Sequence, residues 1–196
     1  MKIKDFIDSL IRNIDRKRAE TVVSRIKPYL KKTDKIIDIG CGSGLISSKL
    51  RLHGFDVTPV DVADFHGPRL IKPTIYDGVK LPFPDKSFDT ALLLMVLHHT
   101  PDPKIVFSEV TRVAKKVIII ETSFTNRINR FITIIADTLG NLRTKAFWDS
   151  YKSDSDWITF FTSRGFKVSE TKKFNDKNLP GLGVSFLHIL YFLERQ

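Results

Sequence analysis

The residues with most chemistry to offer lie in one short stretch and in the acids and histidines that follow it. The segment DIGCGSG, Asp38 to Gly44, alternates three glycines with single residues straight after the apolar pair Ile36 and Ile37. Glycine permits positive φ and removes the Cβ that would hold a ligand away from the backbone. The heptapeptide therefore reads as a tight strand-to-helix turn with exposed N–H groups. A dinucleotide fingerprint starting at Gly40 would need glycine at 45, where Leu45 stands. Starting at Gly42 it would use Ser47, but the strand has ended by Gly40. No Gly-Lys-Ser/Thr follows, which excludes a P-loop. Asp61 closes the next apolar segment, 21 residues after Gly40. In nucleotide-binding α/β domains a carboxylate near this spacing accepts hydrogen bonds from ribose hydroxyls.

His98 and His99 follow a strongly apolar segment and are the candidate general bases, because imidazole titrates near neutrality. The alternative is structural: a histidine that caps the next helix or bonds the loop. No third metal ligand is evident beside them and HExxH is absent, so no metal site is expected. Cys41, the single cysteine, excludes an intrachain disulfide and a multi-cysteine zinc site. Inside the glycine loop it reads as a small packing residue.

These residues need a scaffold, and the chain is long enough to supply one. At 196 residues, 42% hydrophobic and 28% charged, it is expected to be one domain with a sizeable core, residues 1–196. No apolar run approaches a membrane span; the longest are Ala91–Leu97 and Ile189–Leu193. Asp5 and Asp8 make the N-terminus a poor signal peptide, so a cytoplasmic protein is expected. The net charge is +10, with eleven Lys/Arg against five acids in Met1–Lys35. That balance suits a solvated surface or an acidic partner such as RNA or a lipid headgroup surface. No arginine-rich tail or RGG-like segment supports the RNA reading.

Apolar spacing predicts one or two amphipathic helices over an N-terminal segment 1–34, bent near Pro28. Strands are predicted at Lys35–Gly40, Asp56–Val62, Thr74–Tyr76, Asp89–Leu97, Lys116–Glu121, Phe166–Thr171 and Ser185–Leu193. Helices are predicted at Leu45–Leu52, from Asp102 or Pro103, at Ile128–Leu139, and from Ser153 or Asp154 to Gly165. Ala63–Pro73 reads as loop. The alternation implies an α/β layered domain whose ligand sits beyond the carboxyl ends of the strands, where strand order reverses.

Taken together, KIIDIGCGSG, VDV at 60–62, YDGVKLPFPDKSFD at 76–89, LLLMVLHHTPDP and EVTRVAK resemble the class I S-adenosylmethionine-dependent methyltransferases. The likeness is greatest to the small-molecule-type group carrying an LPFPD-x-SFD stretch. It covers Lys35–Lys116 in register and the rest more loosely. It implies a Rossmann-like seven-stranded sheet in the order 3-2-1-4-5-7-6, the seventh strand antiparallel, with helices on both faces. It also implies S-adenosylmethionine as cofactor and S-adenosylhomocysteine as product. The Gly40, Cys41, Gly42 and Gly44 backbone would pack against the methionine part. Asp38 would orient the loop or reach the amino group through water. Asp61 would hold both ribose hydroxyls, with Val62 beside the adenine. Asp77 would accept from the adenine amino group and the Gly78 amide would donate to the ring. Leu93 or Leu94 would offer a carbonyl to the methionine amine. Two departures stand out: Ala63–Pro73 is short for the family's helix there, and RVAKKVIIIE lacks a Pro-Gly-Gly turn.

The expected reaction is in-line displacement at the sulfonium methyl carbon by a small, hydrophobic or acidic metabolite. The alternatives are an RNA or protein acceptor and a non-catalytic cofactor-binding protein. Specificity is expected from the N-terminal helices and from a substrate-covering insert, residues 122–153. Phe124, Phe131, Phe147, Trp148, Tyr151 and Trp157 cluster there or just beyond, flanked by Arg127, Arg130, Arg143 and Lys145. They suit either an apolar lid with an anion site or ordinary core packing and a solvated face.

Overall fold

The computed structural model describes residues 3–66, 70–140, 147–177 and 185–195. Seven strands form one sheet: β1 (Lys35–Ile39), β2 (Asp56–Asp61), β3 (Thr74–Ile75), β4 (Phe88–Leu94), β5 (Ala114–Ser123), β6 (Phe166–Lys177) and β7 (Ser185–Arg195). Their order is β3-β2-β1-β4-β5-β7-β6, as the resemblance implied. The first five pair parallel, and β7 runs antiparallel to both neighbours.

Parallel strands are buried on both faces, so successive side chains feed two separate cores. Ile37, Ile39, Ala91, Leu93, Val117 and Ile119 point to one face. There they meet Val106, Phe107 and Val110 of α3 (Pro103–Val113) and Trp157 and Phe161 of α5 (Asp154–Thr162). Ile36, Leu92, Leu94, Ile118 and Ile120 point to the other. They meet Val22, Val23 and Ile26 of α1 (Ile3–Ile26) and Leu50 of α2 (Leu45–Leu52). The N-terminal segment is thus one helix followed by a 3-10 turn at Lys27–Tyr29, where Pro28 removes an amide hydrogen. Asp102 caps α3, and Ser153 with Asp156 forms a capping box on α5. A further helix, α4 (Arg127–Gly140), follows β5.

Two predicted boundaries are corrected. The fourth strand was expected to reach Leu97 but stops at Leu94. Met95 adopts φ of 62°, and the next two amides, Val96 and Leu97, donate to the Glu121 carboxylate instead of a neighbouring strand. The sixth strand was expected to end at Thr171 but runs to Lys177, paired with β7 down to Ser185. Asn175 and Asp176, which read as turn residues, are held in the ladder, and Asp176 is tied to Arg25 and His188. The described residues between β2 and β3 form no helix, as the short spacing suggested; Gly67 and Pro68 lie outside the described residues. No helix among the described residues is long and apolar enough to cross a membrane.

Candidate active site

β1 and β4 are neighbours, but the chain leaves β1 toward β2 and leaves β4 toward β5. The sheet's order reverses between them, and a crevice opens at their carboxyl ends. The last register pair there is Ile39 with Leu93, so Leu94 is paired only on its β5 side, with Ile120. A cavity of about 600 Å³ occupies this crevice. Its floor is the glycine loop and Leu94, one wall is Asp61, Val62, Phe65 and Tyr76, and α1 contributes Arg18, Ala19 and Val22. Its lining also includes a polar group, His98, His99 and Asp137, with His188 of β7.

The three glycines of the loop do different work. All have φ between 55° and 73°. A Cβ on Gly40 would come within 2.6 Å of Val96, and one on Gly44 within 2.9 Å of the Ile71 carbonyl oxygen. Those two are required by the protein's own packing, and Gly44 also caps α2. A Cβ on Gly42 would meet nothing within 4 Å. Gly42 lines the cavity, so its missing side chain leaves room for a bound group. This is the observation on which the fit of a backbone-hugging cofactor rests.

Two carboxylates sit behind the loop. Asp38, at the end of β1, is buried and accepts from the Ser47 hydroxyl of α2 at 2.5 Å. Burial pushes its carboxyl up to about 6, against the lowering by Ser47, with Asp61 adding a further rise. A cationic ligand group beside Asp38 would relieve that cost. Asp61 accepts from the Gly42 amide at 2.7 Å through Oδ2 and from the Val62 amide at 2.7 Å through Oδ1. It thereby fixes the loop while still facing the cavity. Cys41 lines the cavity too, and burial pushes its thiol well above the usual range, which leaves it a neutral packing residue.

The remaining candidate positions divide. Leu94, Gly40, Cys41, Gly42 and Val62 border the cavity; Leu93, Gly44, Asp77 and Gly78 do not. Leu93 is fully buried and paired on both sides. Asp77 Oδ1 accepts from the Val79 and Lys80 amides, both at 2.8 Å, which ties that oxygen to its own turn. Gly78 lies behind Val62, 3.4 Å from its side chain at the position a Cβ would take. Of the aromatic cluster, Phe147 borders the cavity and Tyr151 packs against the His98 ring at 4.9 Å between centroids. Phe131 and Trp148 pack together on the outside, and Trp157 belongs to the core. Arg130 donates to the Trp148 carbonyl. Arg143 and Lys145 lie outside the described residues.

The polar group is built on a short turn, Leu97–His99, that follows β4. His98 is buried, and its Nδ1 is bonded to the Glu121 carboxylate, itself fully buried at the end of β5. Burial alone would lower the His98 imidazole, but Glu121, with Asp137 beyond, outweighs it and raises it. His99 Nε2 stands 3.5 Å from Asp137 Oδ2, and His98 Nε2 stands 3.9 Å from the same oxygen. The Tyr151 hydroxyl donates to that oxygen at 2.5 Å. Glu121, Asp137, His188 and Asp176 escape the sequence reading. Two of them left a trace: an acid ending VIIIE and a histidine interrupting SFLHILYFL each break an apolar strand.

A family model described as a methyltransferase domain matches residues 11–169. The chain belongs to the methyltransferase-domain family. Among curated proteins it is similar to the ubiquinone biosynthesis O-methyltransferase of Rickettsia prowazekii, 31% identical over 104 residues, covering 46% of this chain and 40% of that one. The chain spans under half the length of such curated relatives. Among solved structures it is similar to a SAM-dependent methyltransferase from Methanosarcina mazei, with a TM-score of 0.66 and 22% identity over 87% of this chain and 96% of that one. It is also similar to magnesium protoporphyrin IX methyltransferase from Synechocystis, solved with bound SAM, with a TM-score of 0.60 and 17% identity over 94% and 81%.

Proposed function

We propose that the chain transfers the methyl group of S-adenosylmethionine to a hydroxyl oxygen of a small, mainly apolar metabolite. The carrying observation is a single cavity that joins the Gly42 cradle to the His98, His99 and Asp137 cluster along mostly apolar walls. The Rickettsia relative is an O-methyltransferase by name, which supports oxygen as the acceptor.

The bound cofactor supplies a methyl group on a sulfonium whose departure leaves a neutral thioether. The protein's part is to bind, align and dry the site. Gly40, Cys41 and Gly42 present backbone to the methionine part, and Asp38 supplies negative charge toward its ammonium. The Leu94 carbonyl is unpaired by β1 and is the acceptor offered to that same ammonium. Asp61 faces the ribose, Val62 and Phe65 the adenine. Asp77 and Gly78 act at one remove, by shaping the turn behind Val62. The acceptor hydroxyl meets His98, His99 and Asp137, where its proton is withdrawn.

The test is transfer of labelled methyl groups from S-adenosylmethionine by the purified chain to a panel of phenols, catechols and aliphatic alcohols, alongside RNA and protein fractions. Label in solvent-extractable hydroxylated compounds is expected, and lost in His99→Ala. Label confined to RNA or protein would overturn the reading.

A further inference from the structure

The polar group in the cavity lining brings together side chains that sequence places far apart. His98 and His99 sit on the turn after β4, and Asp137 comes from the last turn of α4. One donor atom from each lies within 4.8 Å of the other two. We propose that His98, His99 and Asp137 form a binding site for a divalent transition-metal cation of the Zn²⁺ class. The proposal rests on the proposed function for its role and on geometry alone for its existence.

Two ligands bound tetrahedrally at Zn²⁺ distances lie about 3.4 Å apart. His99 Nε2 and His98 Nε2 stand 3.5 Å and 3.9 Å from Asp137 Oδ2, so small side-chain adjustments close the set. The outer contacts fit as well. Metal-bound histidines donate their second ring N–H to a carboxylate, which fixes the ring and keeps the other nitrogen free to ligate. Glu121 does this for His98 Nδ1. The Tyr151 hydroxyl donates to Asp137 Oδ2, the oxygen that faces both histidines, and holds that carboxylate in place. Two imidazoles and one carboxylate make the donor set of a catalytic Zn²⁺ site, which keeps open positions, and not of a hard-cation cage of oxygens. All three ligands border the cavity, so those open positions face the entering substrate.

The role follows from the chemistry. A hydroxyl oxygen bound to the cation is acidified, and its proton leaves to water. The oxygen forms the new O–C bond as the C–S bond breaks, and the sulfur keeps the bonding electron pair.

The experiment is a Zn²⁺ titration of tag-free full chain, by calorimetry and by competition with a chromophoric chelator, with Co²⁺ spectra as a second readout. One Zn²⁺ per chain at micromolar affinity or better is expected. Asp137→Asn and His99→Ala should each weaken binding at least tenfold, while His53→Ala, at an exposed helix end, should not. Circular dichroism confirms that the variants fold. Equal affinity in all four proteins, or only millimolar binding, would overturn the proposal and leave methyl transfer standing. Tight, variant-sensitive Zn²⁺ binding with no hydroxyl compound methylated would leave the site standing and sink the proposed acceptor. Transfer unchanged after the metal is stripped would refute its role in acidifying the acceptor.

Discussion

Replacing Asp38 by asparagine should make the protein more stable and a poorer cofactor binder. The carboxyl is buried and its pKa rises from 3.8 to about 6. At about 1.4 kcal/mol per pH unit, holding it ionised above pH 6 costs roughly 3 kcal/mol. Between these two values the folded state binds more protons than the unfolded state. Stability therefore falls as pH rises through that window, and the full cost is present at neutral pH. Protonated aspartate and asparagine are close in shape, and either accepts from Ser47, so the substitution removes the charge and little else. Urea denaturation should show Asp38→Asn about 3 kcal/mol more stable than wild type at pH 7.5, with the gap under about 1 kcal/mol at pH 4. Calorimetry with S-adenosylhomocysteine at pH 7.5 should show at least a tenfold loss of affinity. A variant no more stable than wild type at pH 7.5, or a gap that does not change with pH, would refute the reasoning. The trade is a common one: a charge kept for binding at the expense of the fold.

Other expectations are equally direct. Gly42→Val should reduce S-adenosylhomocysteine affinity tenfold or more and cost only the roughly 1–2 kcal/mol of a left-handed backbone, whereas Gly44→Ala should destabilise more, because its Cβ meets the Ile71 carbonyl; melting curves and calorimetry separate the two. Cys41 should resist iodoacetamide at pH 7.5 in the native protein and react once unfolded in urea, and Cys41→Ser should bind cofactor like wild type. Arg25 makes two bonds of 2.6 Å to Asp176, and with His188 it holds that carboxyl well below the usual range. Arg25→Met should therefore cost about 1–3 kcal/mol at pH 7 in urea denaturation. That loss should shrink in acid, as the Asp176 carboxylate, left with His188 as its partner, takes up a proton.

The sheet was readable because its strands are apolar on both sides and separated by well-marked stops at Gly54, Pro73 and Gly165. The glycine loop and its acids were readable for a related reason: local backbone requirements leave local residue choices. What escaped was set at long range. Nothing near Leu97 says that β4 ends three residues earlier, since the group that ends it, Glu121, belongs to the next strand. Asp176 reads as a turn residue until Arg25, 151 positions away, gives its charge a partner. Asp137 looks like any acid on an amphipathic helix, and only the packing of α4 carries it to the two histidines. Asp77 differs again: it stands off the cavity lining, where its Oδ1 accepts from two amides of its own turn.

Glu121 does not border the cavity, yet it holds the turn that follows β4 and the His98 ring together. A glutamine at that position could still take the amides on its oxygen, but would offer an N–H where His98 now finds an acceptor. The imidazole would have to accept at Nδ1 and so keep its hydrogen on Nε2, turned away from Glu121. The character of that ring is thus written from behind the cavity wall, and one isosteric change out of reach of any substrate could invert it.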